Sequence, residues 1–524
     1  MAVLAGILTN ATTFDVDSAG LDALRIPRDD FVLEAADGPD HFTLAEGPFE
    51  HYERTLTIGD AGSGEGDTHR VTETIEWDLA IPIWGRLFRP VVRRTLIRHA
   101  APSAPFGPGA PATRAPWWSP PTRLNARSTQ VLSRLCGLAL LSGYLGTIIT
   151  QTLTFAGDEF GASTTARGTT LAAVRIGVLF SMGLLILADR RGRQRLLVVS
   201  AIGGTVAAAA GALAPNLMVL AGTQTVSRAF STAMGLLIAV VAAEEMPSGA
   251  RAYAVSVLAM TAALGAGVAV LLLPVADAAP WAWRLIYLVP FFALPWFLAV
   301  GRKLPESKRF IRKHSTSTTL AGHRARLALL GTTAFFGLLF FAPNTQFQND
   351  FLRNEHGFSA IQLTLFTLGT STPAGIGIVI GGRLADIRGR RLVGTVGMIG
   401  GAVLLATSFQ VGGAWLWLFS VLGSIMAAST VPALAVYGPE LFPTALRGKA
   451  NGLISLAGVA GSATGLILGG RMEEHFGRFG PGLAILALGP LVVAGLVLAF
   501  YPETAHRELE ELNPEDALSR QAPI

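Results

Sequence analysis

The chain has 524 residues, of which 51% are hydrophobic and 15% are charged, with a formal net charge of +5 and a single cysteine. Soluble domains carry about 25% charged residues, so this composition excludes an ordinary water-soluble protein. It also excludes an intrachain disulfide, since Cys136 has no partner and reads as a small packing residue in an apolar run.

The first 100 residues differ from the rest. Up to residue 80 the segment is acidic, with Asp29, Asp30, Glu34, Asp37, Glu50, Glu53, Glu73 and Glu76, whereas 81–130 is basic and has no acidic residue. "HYERTLTIGD" and "HRVTETIEWDLA" alternate as strands do, joined by the glycine-rich "AGSGEGD". "IPIWGRLFRPVVRRTLIR" then sets Ile83, Leu87, Val91 and Val92 near helical spacing with Arg86, Arg89, Arg93, Arg94 and Arg98 between them. A small α+β cytoplasmic module over 1–100 is expected. Its helix either lies on the anionic inner leaflet or packs on its own sheet. "APSAPFGPGAPATRAPWWSPP" makes 101–128 a proline-rich linker with no packed core.

Twelve apolar runs follow, each of about 20 residues and therefore able to cross a hydrocarbon core as a helix. They cover 131–155, 168–188, 196–214, 217–243, 253–275 and 281–300, then 327–347, 362–382, 392–411, 415–437, 450–470 and 482–501. This predicts an all-α membrane protein with one bundle of six helices over 129–302 and a second over 327–503. A central loop occupies 303–326 and a tail 504–524. The basic loops "ADRRGRQR", "GRKLPESKRFIRKHS" and "DIRGRR" follow the second, sixth and eighth runs. Positive charge stays on the cytoplasmic side, so both termini are expected there, in a multi-pass protein of the cell membrane. Met1–Asn10 lacks the basic start of a cleavable signal. The arginines cluster at membrane edges, which gives no reason to expect a nucleic-acid partner.

The chain repeats itself. "LADRRGRQRLL" (187–197) matches "LADIRGRRLVG" (384–394), with Asp189 and Asp386 offset by 197 positions. "EEMPSGAR" (244–251) matches "ELFPTALR" (440–447) at an offset of 196, and "LPESKRF" matches "YPETAHR" with Pro305 and Pro502 again 197 apart. Three motifs at nearly one offset indicate an internal duplication. Two six-helix halves joined by a basic loop resemble the major facilitator superfamily. "GGRLADIRGRR" is similar to the loop signature of that superfamily, and "PESKRF", "YGPELFPTALRG" and "PETAHRELEE" resemble its sugar-porter and organic-ion branch. The resemblance covers about 130–510.

That resemblance implies a monomeric secondary carrier that works by alternating access about a site near the bilayer midplane, without ATP, cofactor or metal. No Gly-Lys-Ser/Thr phosphate loop, paired Cys/His spacing or embedded triad motif argues for an enzyme or an ATP-driven pump. The repeated charges are then expected to latch the cytoplasmic side, Asp189 and Arg193 with Glu244 and Arg251 in the first half. In the second half the expected latch is Asp386 and Arg390 with Glu440 and Arg447. The opening glycine of the second copy, Gly382, has Leu185 as its counterpart, which weakens close approach in the first. Gly458, Gly461, Gly465 and Gly469 repeat at helical spacing, as Gly375, Gly377 and Gly381 do more loosely, and are expected at helix contacts.

Ionisable side chains inside a span usually face a cavity. Arg175 and Arg228 stand out, Gln224 lies one turn before Arg228, and Thr150 and Gln151 have counterparts in Thr345 and Gln346, followed by Gln348 and Asn349. Arg228 resembles the superfamily's fourth-helix arginine beside the translocation path. "SGYLGT" resembles the sugar-porter first helix but has Leu145 where a proton-coupling Asp would stand, and Ala259 replaces a sugar-binding Gln. The arginines favour a small polar or anionic organic solute. If protons are coupled, Asp158 and Glu159 are the candidates, titrating near Arg175. A facilitative sugar-like uniporter, a drug or metabolite antiporter and a carrier-fold sensor signalling through 1–125 stay open.

Overall fold

The computed structural model describes residues 7–59, 68–82, 84–100, 119–120, 122–247, 250–304, 320–435, 437–442 and 446–504. Most of the expected linker, central loop and tail therefore lies outside the described residues. The N-terminal module consists of β1 (Leu8–Asp17), α1 (Ser18–Leu24), β2 (Leu33–Ala36), β3 (His41–Glu46), β4 (Phe49–Gly59), β5 (Thr68–Leu79) and α2 (Gly85–Ala100). Its antiparallel sheet has the order β1-β5-β4-β3-β2. In β5 every second residue from Val71 to Trp77 is buried, as a strand with one covered face requires. Phe31, Phe49, Tyr52, Ile75 and Trp77 pack against Val92 and Leu96 of α2. The helix therefore packs on its own sheet, while Leu87, Phe88 and Val91 stay exposed beside its arginines.

The core of the module is partly ionic. Arg54 is 2% exposed and bonds Glu34 at 2.8 Å and Glu73 at 3.2 Å, with its guanidinium 4.1 Å from the Phe42 ring centroid. The Tyr52 hydroxyl donates to Glu34 at 2.6 Å. Burial pushes the Glu73 carboxyl up from its ordinary value, against the pull of Arg54.

The rest of the described chain is helical: α3 (Ala126–Glu159), α4 (Thr164–Arg191), α5 (Arg193–Gly211), α6 (Leu217–Glu245), α7 (Arg251–Leu271) and α8 (Trp283–Arg302) form the first half. The second half has α9 (Arg324–Gln346), α10 (Gln348–Asn354), α11 (Ala360–Ser371), α12 (Ala374–Arg388), α13 (Arg390–Ser408), α14 (Gly413–Leu434), α15 (Tyr437–Glu440), α16 (Arg447–Phe476), α17 (Phe479–Leu486) and α18 (Leu488–Phe500). Among the described residues 12 helical segments are long and apolar enough to cross a membrane.

Several boundaries differ from the sequence reading. The expected linker ends early, because Asn125 caps α3 by accepting from the Ser128 N–H at 2.9 Å and the helix starts at Ala126. The eighth run is broken between α11 and α12 at Thr372–Pro373, and the twelfth at Ala487 between α17 and α18. Proline fixes its own φ and offers no N–H, which accounts for the first break.

The duplication is visible in the backbone. Gly192 separates α4 from α5 and Gly389 separates α12 from α13, with φ of 100° and 96°. These are the loop-motif glycines, and a positive φ is what requires glycine there. A Cβ on Gly265 of α7 would lie 1.9 Å from the Leu140 carbonyl oxygen of α3, and one on Gly461 of α16 would lie 2.1 Å from the Phe335 oxygen of α9. Helices α3 and α7 therefore pack backbone to backbone, as α9 and α16 do. Gly465 repeats this closeness at the Leu339 oxygen, while Gly377 and Gly381 abut Ile425 and Ser429 of α14. Gly375 meets nothing within 4 Å, so that expected contact is not made, while Gly382 touches Pro432 of α14 at ordinary van der Waals distance.

Candidate transport path and the contacts that close it

Two arginines lie in the interior of the first half. Arg228 on α6 donates Nη1–H to the Gly146 carbonyl of α3 at 2.5 Å, and its Nε is buried without a partner. A Cβ on Gly146 would come within 3.4 Å of that guanidinium, and Gly177 lets α4 approach the Arg228 stem. Arg175 on α4 is close enough to Arg228 for the two charges to repel. Among the described residues no carboxylate pairs with either. Two cations held together without a counter-ion form an anion-attracting interior. Gln224 does not join them. It is buried towards α5, with its Nε2 3.5 Å from the Ala208 oxygen, in space that Gly211 leaves open. Leu145 also faces α5, near Gly204, and Ala259 is exposed.

Four of the candidate polar residues bond one another across the two halves. The Thr150 hydroxyl donates to Gln346 Oε1 at 2.7 Å, and Asn349 Nδ2 donates to the Gln151 backbone and side-chain oxygens at 3.1 Å. Thr345 instead bonds back to its own helix. A cavity of about 210 Å³ opens inside the second half, lined by Asn344, Gln348, Thr370, Ser408, Ser420 and Ser424 among others. Asn344 Nδ2 and Gln348 Nε2 are buried without partners.

A charged network closes the end of the bundle opposite the module. Arg167 at the start of α4 bonds Asp158 of α3 at 2.8 Å and Asp350 of α10 at 2.5 Å. Arg353 bonds Asp158 at 3.2 Å and Asp277 at 3.0 Å, and Asp277 accepts the Ala360 N–H at the start of α11 at 2.6 Å. These bonds join the halves. Asp350 is 1% exposed, and burial pushes its carboxyl up from the usual range against the pull of Arg167. Asp158 thus sits beside Arg167 and Arg353, not Arg175. Glu159 stays within the first half, bonded to Arg284 at 2.9 Å and to Trp283 Nε1 at 2.6 Å.

At the module end, by contrast, the polar contacts among the described residues stay within one half, while α4 approaches α16 at Met182 and Gly452. Arg193 of α5 pairs with Glu244 of α6, as the latch motif predicts. Arg390 turns to the end of α18. Its N–H donates to Glu503 Oε1 at 3.0 Å and its Nη1 to Thr504 at 2.8 Å, so the "PET" motif caps α13. The Tyr437 hydroxyl donates to the Pro502 carbonyl at 3.0 Å. The side chains of Asp189, Arg251, Asp386, Glu440 and Arg447 lie outside the described set.

Arg167, Asp350, Arg353 and Asp277 escape the sequence reading because they sit at span edges, where charge is ordinarily solvated. A signal was present in "GFSAIQ", whose Ser359 and Gln362 form the capping box that starts α11 beside Asp277.

Comparison with known proteins agrees with this architecture. Residues 118–315 match the sugar (and other) transporter family, and 329–520 match the Major Facilitator Superfamily model. The inward-open xylose transporter XylE from E. coli superposes with a TM-score of 0.61 at 17% identity, covering 74% of this chain and 99% of that one. A mutant of the nucleoside transporter NupG gives 0.61 at 14% identity, over 71% of this chain and 100% of that one. The MFS-type transporter lnaF of Aspergillus flavus is 28% identical over 145 residues, which is 26% of this chain and 28% of the relative's length. The fold is that of membrane transporters, and the chain belongs to the major facilitator superfamily with sugar-porter-like character.

Proposed function

We propose that the protein is a secondary carrier of a small organic anion, working by alternating access without ATP. The observation that carries this reading is the Arg175 and Arg228 pair, which has no carboxylate partner among the described residues and leaves Arg228 Nε unsatisfied. A carboxylate solute supplies both the missing charge and the missing acceptor. The module end is cytoplasmic on the positive-inside argument. The ion pairs that join the halves gather at the far end, with Thr150–Gln346 and Gln151–Asn349 below them, which supports reading the conformation as closed towards the outside. Proton coupling runs through the Asp158–Arg167–Asp350 network, with Glu159 as a structural partner of Arg284.

A second reading rests on the orphan amides of Asn344 and Gln348, which suit the hydroxyls of a neutral sugar-like solute. Uptake into proteoliposomes of labelled carboxylates, aromatic acids and hexoses, with and without an imposed proton gradient, separates the two. Carboxylate accumulation that collapses with the gradient supports the first reading. Hexose equilibration indifferent to the gradient supports the second. Binding without flux would make the chain a sensor. In the first case Arg228→Ala raises the half-saturating concentration at least roughly 30-fold, the scale of losing one buried charge-assisted contact; unchanged uptake would sink the assignment.

A further inference from the structure

A cavity of about 480 Å³ lies where the module meets the carrier, away from the path between the arginines. The module contributes Phe31, Trp84 and Phe88 to it, and the carrier contributes Leu132, Tyr253 and Val257. Contacts around it hold the two parts together: Trp84 Nε1 donates to the Ser133 carbonyl at 3.3 Å, Gln130 Nε2 to Glu50 at 2.8 Å, and Arg123 to the Asp30 carbonyl at 2.7 Å. The lining is mostly apolar, with charged residues Asp29, Asp30, Glu46 and Arg123 at its rim. Thr129 and Ser133, one turn apart on α3 and only 6% and 5% exposed, both line the cavity, and neither hydroxyl has a hydrogen-bond partner. A helical Ser or Thr ordinarily bonds back to the carbonyl one turn earlier, as Thr152 does in the same helix. Two such hydroxyls left unpartnered in an apolar cavity are an unmet demand for a polar atom.

We propose that this cavity binds a small, uncharged, largely apolar molecule carrying hydroxyl or carbonyl oxygens, which Thr129 and Ser133 hydrogen-bond. An anion would find the nearby Arg28 and Arg123 already paired with Asp30 and Asp29, and would meet the Glu46 carboxylate at the rim. A cation would find two of the three rim carboxylates taken, since Asp30 pairs with Arg28 and Asp29 with Arg123. Because the walls come from the module and from α3 and α7, occupancy fastens the module to the carrier. The binding itself does not depend on what the carrier moves.

The test uses the full chain in detergent micelles with monodecanoylglycerol as probe, read by native mass spectrometry. One saturable adduct per chain is expected, with decanoate and decylamine failing to replace it. Val257→Trp fills the cavity from the carrier side and should abolish the adduct, and Phe88→Trp does so from the module side, which guards against misfolding of either variant. Thr129→Val combined with Ser133→Ala should weaken it about tenfold, the worth of two neutral hydrogen bonds. As a second readout, Cys136 is the sole cysteine and lines the cavity, so the probe should slow its alkylation. A neutral lipid co-purifying at one per chain identifies the membrane as the source; an empty site that fills from solution identifies a soluble ligand. No one-to-one adduct, or one indifferent to both filling substitutions, overturns the proposal.

Discussion

Asp350 is the buried carboxylate of the network that joins the halves. Its carboxyl is buried against Arg167 and pushed up from the ordinary range. A group whose pKa is higher in one conformation stabilises that conformation below its solvated pKa, and the stabilisation fades as pH rises through the raised value. Acid on the far side of the membrane therefore favours the conformation in which α3, α4 and α10 are tied together, which is the direction needed if proton uptake promotes closure. Spin labels on the far-end loops of the two halves should move closer as pH falls, and Asp350→Asn should hold the shorter distance at every pH and abolish gradient-driven accumulation. A distance that ignores pH in the unmodified protein would falsify this assignment. The sequence disclosed Arg228 and Arg175 because charge in an apolar run is conspicuous. It concealed Asp350 because "QND" after an apolar run reads as a solvated loop, and only tertiary packing makes it 1% exposed.

Among the elements, the two tightest helix pairs depend on glycines that present backbone to backbone. Gly461→Ala puts a methyl where a carbonyl oxygen lies 2.1 Å from the new Cβ, so α9 and α16 must separate. Overpacking of this kind costs about 1–3 kcal/mol, which should appear as a lower thermal midpoint with uptake reduced in proportion to folded protein. The spacing of Gly461 and Gly465 made this pair legible in advance. Its twin in the first half, formed through Gly143 and Gly265, was not, because those glycines lie in segments without an obvious period. In the module, Arg54→Ala strands Glu34 and Glu73 in a core that excludes water. Breaking a buried ion pair from one side costs about 3–5 kcal/mol, so limited proteolysis should then digest the module while the membrane helices stay intact. Alternation in β5 identified that strand, but the ionic core was hidden, since Glu34, Arg54 and Glu73 are distant in sequence and each resembles a surface charge.

For the molecule as a whole, the loop-motif duplication was the strongest signal, because an offset of 197 between Asp189 and Asp386 survives ignorance of every helix boundary. The twelve spans were legible as apolar runs, and the offset divides them into two halves. How the halves touch was not legible, because contacts between segments hundreds of residues apart leave no local pattern. Removing residues 1–122 deletes no residue of the arginine pair or of the far-end network, so substrate flux should persist. It uncovers Leu132 and Val257 at the module end, so the thermal midpoint should fall. Loss of flux with the helices still folded would instead assign the module a part in transport.

The contacts that hold the module reach α3 and the segment just before it, which belong to the first half. The module therefore travels with one half and not the other. If the halves rock as proposed, the exposed Leu87, Phe88 and Val91 and their neighbouring arginines are carried with the first half. Where that face meets an anionic leaflet, headgroup charge would act as a weight on one arm of a balance, and lipid composition would tilt the resting orientation of the carrier without any molecule entering the substrate path.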